Sequence, residues 1–295
     1  MRSRTVDLHG PVHFADFGGE GPTMVLVHGL GGSHLDWMAV GPLLARAARV
    51  LAVDLAGFGR TPLGGRSADL LASRALLDRF LDAVAAAPAI LVGNSMGGLL
   101  AIMEAAERPE KVAGLVLAAP AQPRPRGTWV DPLVAAMFTA YALPLLGPGF
   151  LRLRALLLRP EQQVQTSLRL CCADPARVAP EVVAALVALA HERRALMPWA
   201  SAAFIDAIRS LVLALSTSST FDALVESLTP PALLIQGTKD RLVPLAVSRS
   251  LAARRPDWSF EVFEDVGHVP QLEAPERFAA AVKRWLGLAR LVASA

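Results

Sequence analysis

Three uncharged runs, Met24-Val25-Leu26-Val27, Ile90-Leu91-Val92 and Leu233-Leu234-Ile235, each lead into a turn that carries glycine. Each is followed by a segment with helical spacing. Runs without polar alternation fit strands covered on both faces, not strands with one wet side. Strands that alternate with helices argue for a mostly parallel sheet with helices on both faces. The same reading places strands at Val12–Phe17, Thr23–Val27, Val50–Val53, Ala89–Val92, Val112–Ala118, Ala232–Ile235 and Ser259–Phe263. Helical patterns lie at Trp37–Ala47, Ala68–Ala86, Leu99–Glu107, Pro244–Ala253 and Pro275–Leu288. The run GGEGP after the first strand reads as a hairpin turn.

The alternation stops between Gln122 and Leu228. Residues QPRPRGT open this gap, and Thr229-Pro230-Pro231 closes it just before a strand. Between them the sequence is helical and rich in Leu and Ala. It reads as a helical cap, residues 123–228, inserted into an α/β core made of residues 1–122 and 229–295. Within it, Leu133–Leu151 carries no charge and approaches the length of a membrane span. Pro144 and the run Gly147-Pro148-Gly149 would break such a helix, so an apolar lid that touches a lipid surface peripherally is the better reading.

Composition removes other classes. Hydrophobic residues are 53% and charged residues 19%, which argues against disorder. A formal charge of +3 is small for 295 residues. The arginines from Arg124 to Arg209 are scattered among apolar residues, and no nucleic-acid motif accompanies them. Cys171 and Cys172 are neighbours, a poor geometry for a disulfide and the wrong spacing for a metal site. The first residues, MRSRTVDLHGPVHF, lack the apolar run of a signal peptide, so a cytoplasmic location is expected.

The strand Ala89–Val92 leaves through Gly93-Asn94-Ser95-Met96-Gly97 into a helix ended by Pro109. Such an elbow strains its central residue and needs glycine on both sides, an arrangement that presents Ser95 as a nucleophile. The bland alternative is a tight turn that happens to contain serine. A serine hydroxyl needs a base, and the base needs an orienting group. Sites in parallel sheets gather at the carboxyl ends of strands. His268 stands there, after the last strand. Asp240 follows the strand Ala232–Ile235, with Asp131 as the runner-up acid. Backbone N–H groups of Leu30 and Met96 are the candidates for an oxyanion hole. His28 reads as a buried residue that stabilises its turn.

In combination, His28-Gly29-Leu30-Gly31-Gly32, Asp54-Leu55-Ala56-Gly57-Phe58-Gly59-Arg60-Thr61, Gly93-Asn94-Ser95-Met96-Gly97-Gly98, Gly237-Thr238-Lys239-Asp240 and Gly267-His268-Val269-Pro270-Gln271-Leu272-Glu273 resemble the α/β-hydrolase fold. The resemblance spans both core segments. It implies an eight-stranded sheet, a cap after the sixth strand, catalytic Ser95, Asp240 and His268, and no cofactor. Haloalkane dehalogenases and epoxide hydrolases of this family carry aspartate at the elbow, and the latter use two cap tyrosines. Ser95 and the single Tyr141 exclude both. C–C bond hydrolases of aromatic degradation usually have Gly-Pro-Gly after the His-Gly pair and tryptophan after the histidine. Here Gly31-Gly32-Ser33 and Val269 stand instead. A serine esterase of the lipase or esterase kind is the reading that remains, acting on a small-molecule ester with an apolar acyl group. The alternatives are a C–C hydrolase, a haloperoxidase-like esterase, or a ligand-binding protein that keeps the triad.

Overall fold

The computed structural model describes residues 1–85, 88–144 and 146–293, with side chains described up to residue 287. The expected helix end at Ala86, and Leu145 within the uncharged segment, fall outside these residues.

Eight strands form one sheet: β1 (Arg2–Asp7), β2 (Pro11–Gly18), β3 (Thr23–Val27), β4 (Arg49–Val53), β5 (Ala89–Asn94), β6 (Val112–Ala118), β7 (Ala232–Gly237) and β8 (Ser259–Phe263). Their order is β1-β2-β4-β3-β5-β6-β7-β8. All neighbours from β4 to β8 pair parallel, and β1–β2 and β2–β4 pair antiparallel.

Two features of this edge depart from the sequence reading. Strand β1 was not expected, because RSRTVD is almost wholly exposed and has no buried-run signature. It forms a hairpin with β2 through a turn where His9 and Gly10 take φ of 59° and 119°. GGEGP, in contrast, is not a hairpin turn. Strand β2 pairs with β4, while β3 lies on the far side of β4. The chain therefore crosses over instead of folding back, because β3 gains two parallel partners in the middle of the sheet.

The period-two alternation of each strand divides the core. Val25, Val27, Leu91, Leu115, Leu117 and Leu234 face α2 (Leu70–Phe80) and α3 (Met96–Glu107). Met24, Leu26, Ile90, Val92, Val116 and Ile235 face the opposite way. There they meet Leu44 of α1 (Gly41–Leu44) and Phe278, Val282 and Trp285 of α12 (Pro275–Ala293).

Six helices separate β6 from β7: α4 (Pro132–Ala142), α5 (Leu146–Leu157), α6 (Pro160–Cys171), α7 (Pro180–Leu196), α8 (Ala200–Leu215) and α9 (Ser218–Ser227). Pro144 does interrupt the uncharged segment, but Gly147-Pro148-Gly149 does not. It forms the first turn of α5, where proline removes no intrahelical donor. Helices α8 and α9 bury Ala203, Ala207, Leu211, Phe221 and Val225 in the main core, whereas α6 and α7 form a small core with Val269 and Leu272. After β7 come α10 (Leu245–Arg254) and, beyond β8, α11 (Pro270–Glu273). Among the described residues no single helix is long and apolar enough to cross a membrane.

Candidate active site

Ser95 sits between β5 and α3 with φ 54° and ψ −117°. This is a strained conformation for an L-residue, worth about 1–3 kcal/mol, and it is held from several sides. The Ser95 N–H donates to Ala118 O at 3.0 Å, and its carbonyl accepts from Gly98, Leu99 and Ala121. Glycine is required on both flanks by close approach. A Cβ on Gly93 would collide with Gly97 O, and one on Gly97 with Val27 O and His28 O. The side chain of Ser95 is half-buried.

His268 is buried in the turn between β8 and α11. Its Nδ1 lies 2.8 Å from Asp240 Oδ2. Asp240 follows β7, and its carboxylate also accepts from Leu242 N, Val243 N and Gln236 Nε2, at 2.8, 2.9 and 2.8 Å. Two of the four contacts are backbone donors of its own turn. They set the carboxylate's direction, so that His268 Nδ1 donates and Nε2 is left as the imidazole acceptor.

Asn94 links the two parts. Its Nδ2 donates to Ala118 O and to His268 O, both at 3.0 Å, so the serine elbow is bonded to the histidine turn. Among the described residues no hydrogen bond to Ser95 Oγ is formed.

Asp131, the runner-up acid, is elsewhere. It caps α4 by accepting from Leu133 and Val134 N–H and pairs with Arg241 at 2.7 Å. That hydrogen bond holds its carboxyl below the usual range.

The loop after β3 brings Gly29 alongside the elbow: a Cβ there would lie 3.2 Å from Ser95 Cβ. Leu30 follows directly, and Met96 opens α3, where helical N–H groups have no intrahelical acceptor. His28 is fully buried, with Nδ1 2.7 Å from Gly29 O and Nε2 accepting from Leu55 N at 3.1 Å. Burial lowers its pKa despite the charge of Asp54. One ring nitrogen is held by its own turn and the other by the loop after β4, so the ring ties the two loops together.

Three other histidines have acidic partners of their own. His13 and His34 both place Nδ1 on Asp54 Oδ2, at 2.7 and 2.8 Å. Asp54 also accepts from His34 N and Arg60 N. Burial alone would raise Asp54, but the two histidine hydrogen bonds outweigh it and hold the carboxyl below its ordinary range. These three side chains are near enough to share a metal ion, yet the nitrogens that face Asp54 are already engaged by its carboxylate. The cluster ties β2 to the loops after β3 and β4. His191 pairs with Glu161 on exposed surface.

One buried group near the site, the last residue of the motif Gly267–Glu273, has no role assigned from sequence. Glu273, at the end of α11, accepts from Gly267 N at 2.7 Å, Asp174 N at 2.8 Å and Ala173 N at 3.1 Å. His268 N donates to Cys171 O at 2.6 Å. The end of α6 is thus bonded to the histidine turn. Glu273 closes the run Gly267–Glu273, but two of its three partners, Ala173 and Asp174, lie 100 and 99 residues away. Burial raises the thiol pKa of Cys171 to about 12, which disfavours the thiolate.

A family model described as alpha/beta hydrolase family matches residues 24–281. A pimeloyl-[acyl-carrier protein] methyl ester esterase of Aromatoleum aromaticum is 31% identical over 268 residues, covering 89% of this chain and 97% of that one. A 2-hydroxy-6-oxononadienedioate/2-hydroxy-6-oxononatrienedioate hydrolase of Paraburkholderia phymatum is 29% identical, covering 94% and 91%. A thermophilic esterase of Thermogutta terrifontis superposes with a TM-score of 0.73 at 24% identity, covering 98% and 99%.

Proposed function

The chain belongs to the alpha/beta hydrolase family, and from that premise we propose that it hydrolyses carboxylic esters through an acyl-enzyme on Ser95. The observation that carries this reading is the strained Ser95 elbow, bonded through Asn94 to a histidine whose Nδ1 is held by Asp240. In the proposed reaction His268 Nε2 takes the Ser95 proton as Oγ attacks the ester carbonyl. Asp240 keeps the proton on Nδ1 and stabilises the imidazolium. The Leu30 and Met96 N–H groups receive the developing oxyanion. His268 then protonates the leaving alcohol, and a water activated by the same base releases the acid.

The substrate follows from the insertion, which we read as a cap over residues 123–228. Phe204 of α8 lies against Gly31, beside the proposed oxyanion donor. Leu30 and Phe204 pack on the same apolar core as Phe138. This lining supports an apolar acyl group. A second reading has one specific observation in its favour. The Arg193 guanidinium of α7 reaches Gly31 O at 3.5 Å, where it could hold a carboxylate on the substrate.

Two experiments test this. A fluorophosphonate probe should label Ser95 in the folded protein and fail to label Ser95→Ala; labelling that persists in the variant overturns the nucleophile. Nitrophenyl esters of increasing chain length should then be turned over with rising kcat/KM. Each buried methylene is worth about 0.8 kcal/mol, close to fourfold. A preference for half-esters of dicarboxylic acids that Arg193→Gln removes would select the second reading.

A further inference from the structure

Helix α5 turns an apolar stripe outward. Leu146, Phe150, Leu153 and Leu157 follow one another at intervals of four, three and four residues, the spacing of one helical face. They are 58%, 41%, 50% and 69% exposed. Beside this stripe, Leu133, Met137 and Ala140 of α4, Phe150, and Leu170 of α6 wall an open apolar groove of about 510 Å³, to which Arg169 and Arg241 also contribute.

Charge decides what such a face meets. From Pro132 to Pro160 the chain holds Arg152, Arg154 and Arg159 and no acidic residue. Arg154 is turned inward onto Tyr141 Oη and Gln163 O, while Arg152 and Arg159 are exposed. A second copy laid on this face by two-fold symmetry would bring two sets of arginines into one interface with no acidic residue from this stretch to pair them. A bilayer with anionic headgroups offers apolar depth and complementary charge together. Helices α4 and α5 have 11 and 12 residues and meet at 110°. Each is too short to span a hydrocarbon core at about 1.5 Å per residue, so they suit the plane of the interface.

We propose that the α5 face docks on the surface of an anionic phospholipid bilayer. Leu146, Phe150, Leu153 and Leu157 enter the boundary of the acyl chains, and Arg152 and Arg159 meet lipid phosphates. This goes beyond the ester hydrolysis proposed above and does not depend on Ser95.

The test is co-sedimentation of the full chain with phosphatidylglycerol–phosphatidylcholine vesicles and with pure phosphatidylcholine vesicles. The protein should bind the mixed vesicles, and salt should weaken binding. Leu153→Glu/Leu157→Glu should lower partitioning at least tenfold while melting as the parent does. Arg152→Gln should lower it about fivefold, the effect expected of one basic residue at an anionic surface. Ser95→Ala should bind as well as the parent, so failure of docking and failure of the catalytic reading are distinguishable. Absence of binding, equal binding to neutral vesicles, or binding unchanged in both variants overturns the proposal. So does a concentration-dependent dimer that the leucine substitutions dissolve.

Discussion

Replacing Glu273 by alanine should loosen the histidine turn and destabilise the whole chain. The carboxylate accepts three backbone N–H groups, from Gly267 in the turn and from Ala173 and Asp174 beyond α6. Its side chain is wholly buried, so water does not replace it at Gly267. A hydrogen bond to a charged group contributes about 1.5–3 kcal/mol, and an orphaned buried donor costs about 1–3 kcal/mol. Counting Gly267 fully and the two part-buried donors at about half gives roughly 3–6 kcal/mol. The Arg177 contact at 3.6 Å is 44% exposed on the arginine side and adds little. Unfolding entropy is about 2.1 cal/mol/K per residue, so the thermal midpoint should fall by about 5–10 °C. Glu273→Gln should lose about half as much, since one carbonyl oxygen can still accept two of the three bonds. Activity should fall with stability. A histidine displaced by about 1 Å costs on the order of 100-fold, and the loss should appear in kcat more than in KM. Circular-dichroism melts and steady-state kinetics on a short nitrophenyl ester measure both. If Glu273→Ala melts within about 2 °C of the parent and keeps its kcat, the three bonds do not hold the turn.

Asp240→Asn places an amide where His268 Nδ1 and Gln236 Nε2 both donate, so the imidazole loses its tautomer; kcat should fall about 10³–10⁴-fold with little change in KM. Asp131→Asn should leave kcat intact and cost little stability, because an asparagine oxygen can still cap α4; the reverse pattern would identify Asp131 as the acid. Glu104, buried on α3 against Arg74, has its pKa raised to about 7 by burial and by Asp78. The fold therefore favours the protonated acid, and stability should be lost as pH rises from about 4.5 to about 7. Glu104→Gln lacks this titration and should gain about 2–3 kcal/mol relative to the parent between pH 4.5 and pH 8, measured by urea unfolding; parallel pH profiles would refute the assignment.

Much of the architecture was legible in local pattern. Unbroken runs such as Met24–Val27 and Leu233–Ile235 fit strands covered on both faces, and the loss of strand signals between Gln122 and Leu228 matches the helices α4–α9 found between β6 and β7. Ser95, Asp240 and His268 became candidates by residue type and by the rule that parallel sheets collect chemistry at strand ends, and the fold joins Asp240 to His268 and the Ser95 elbow to the histidine turn. Strand β1 was not legible, because an edge strand exposed to water needs no apolar signature. The destination of β2 was also hidden, since a glycine-rich turn does not state which strand its neighbour will pair with. The bonds that join the site have no local signal at all. Asn94 reaches the carbonyl of His268, 174 residues away, and Glu273 reaches Ala173 and Asp174. A buried donor or acceptor must be satisfied, but sequence does not say by which partner. Only folding, by bringing distant backbone together in a dry interior, makes that choice.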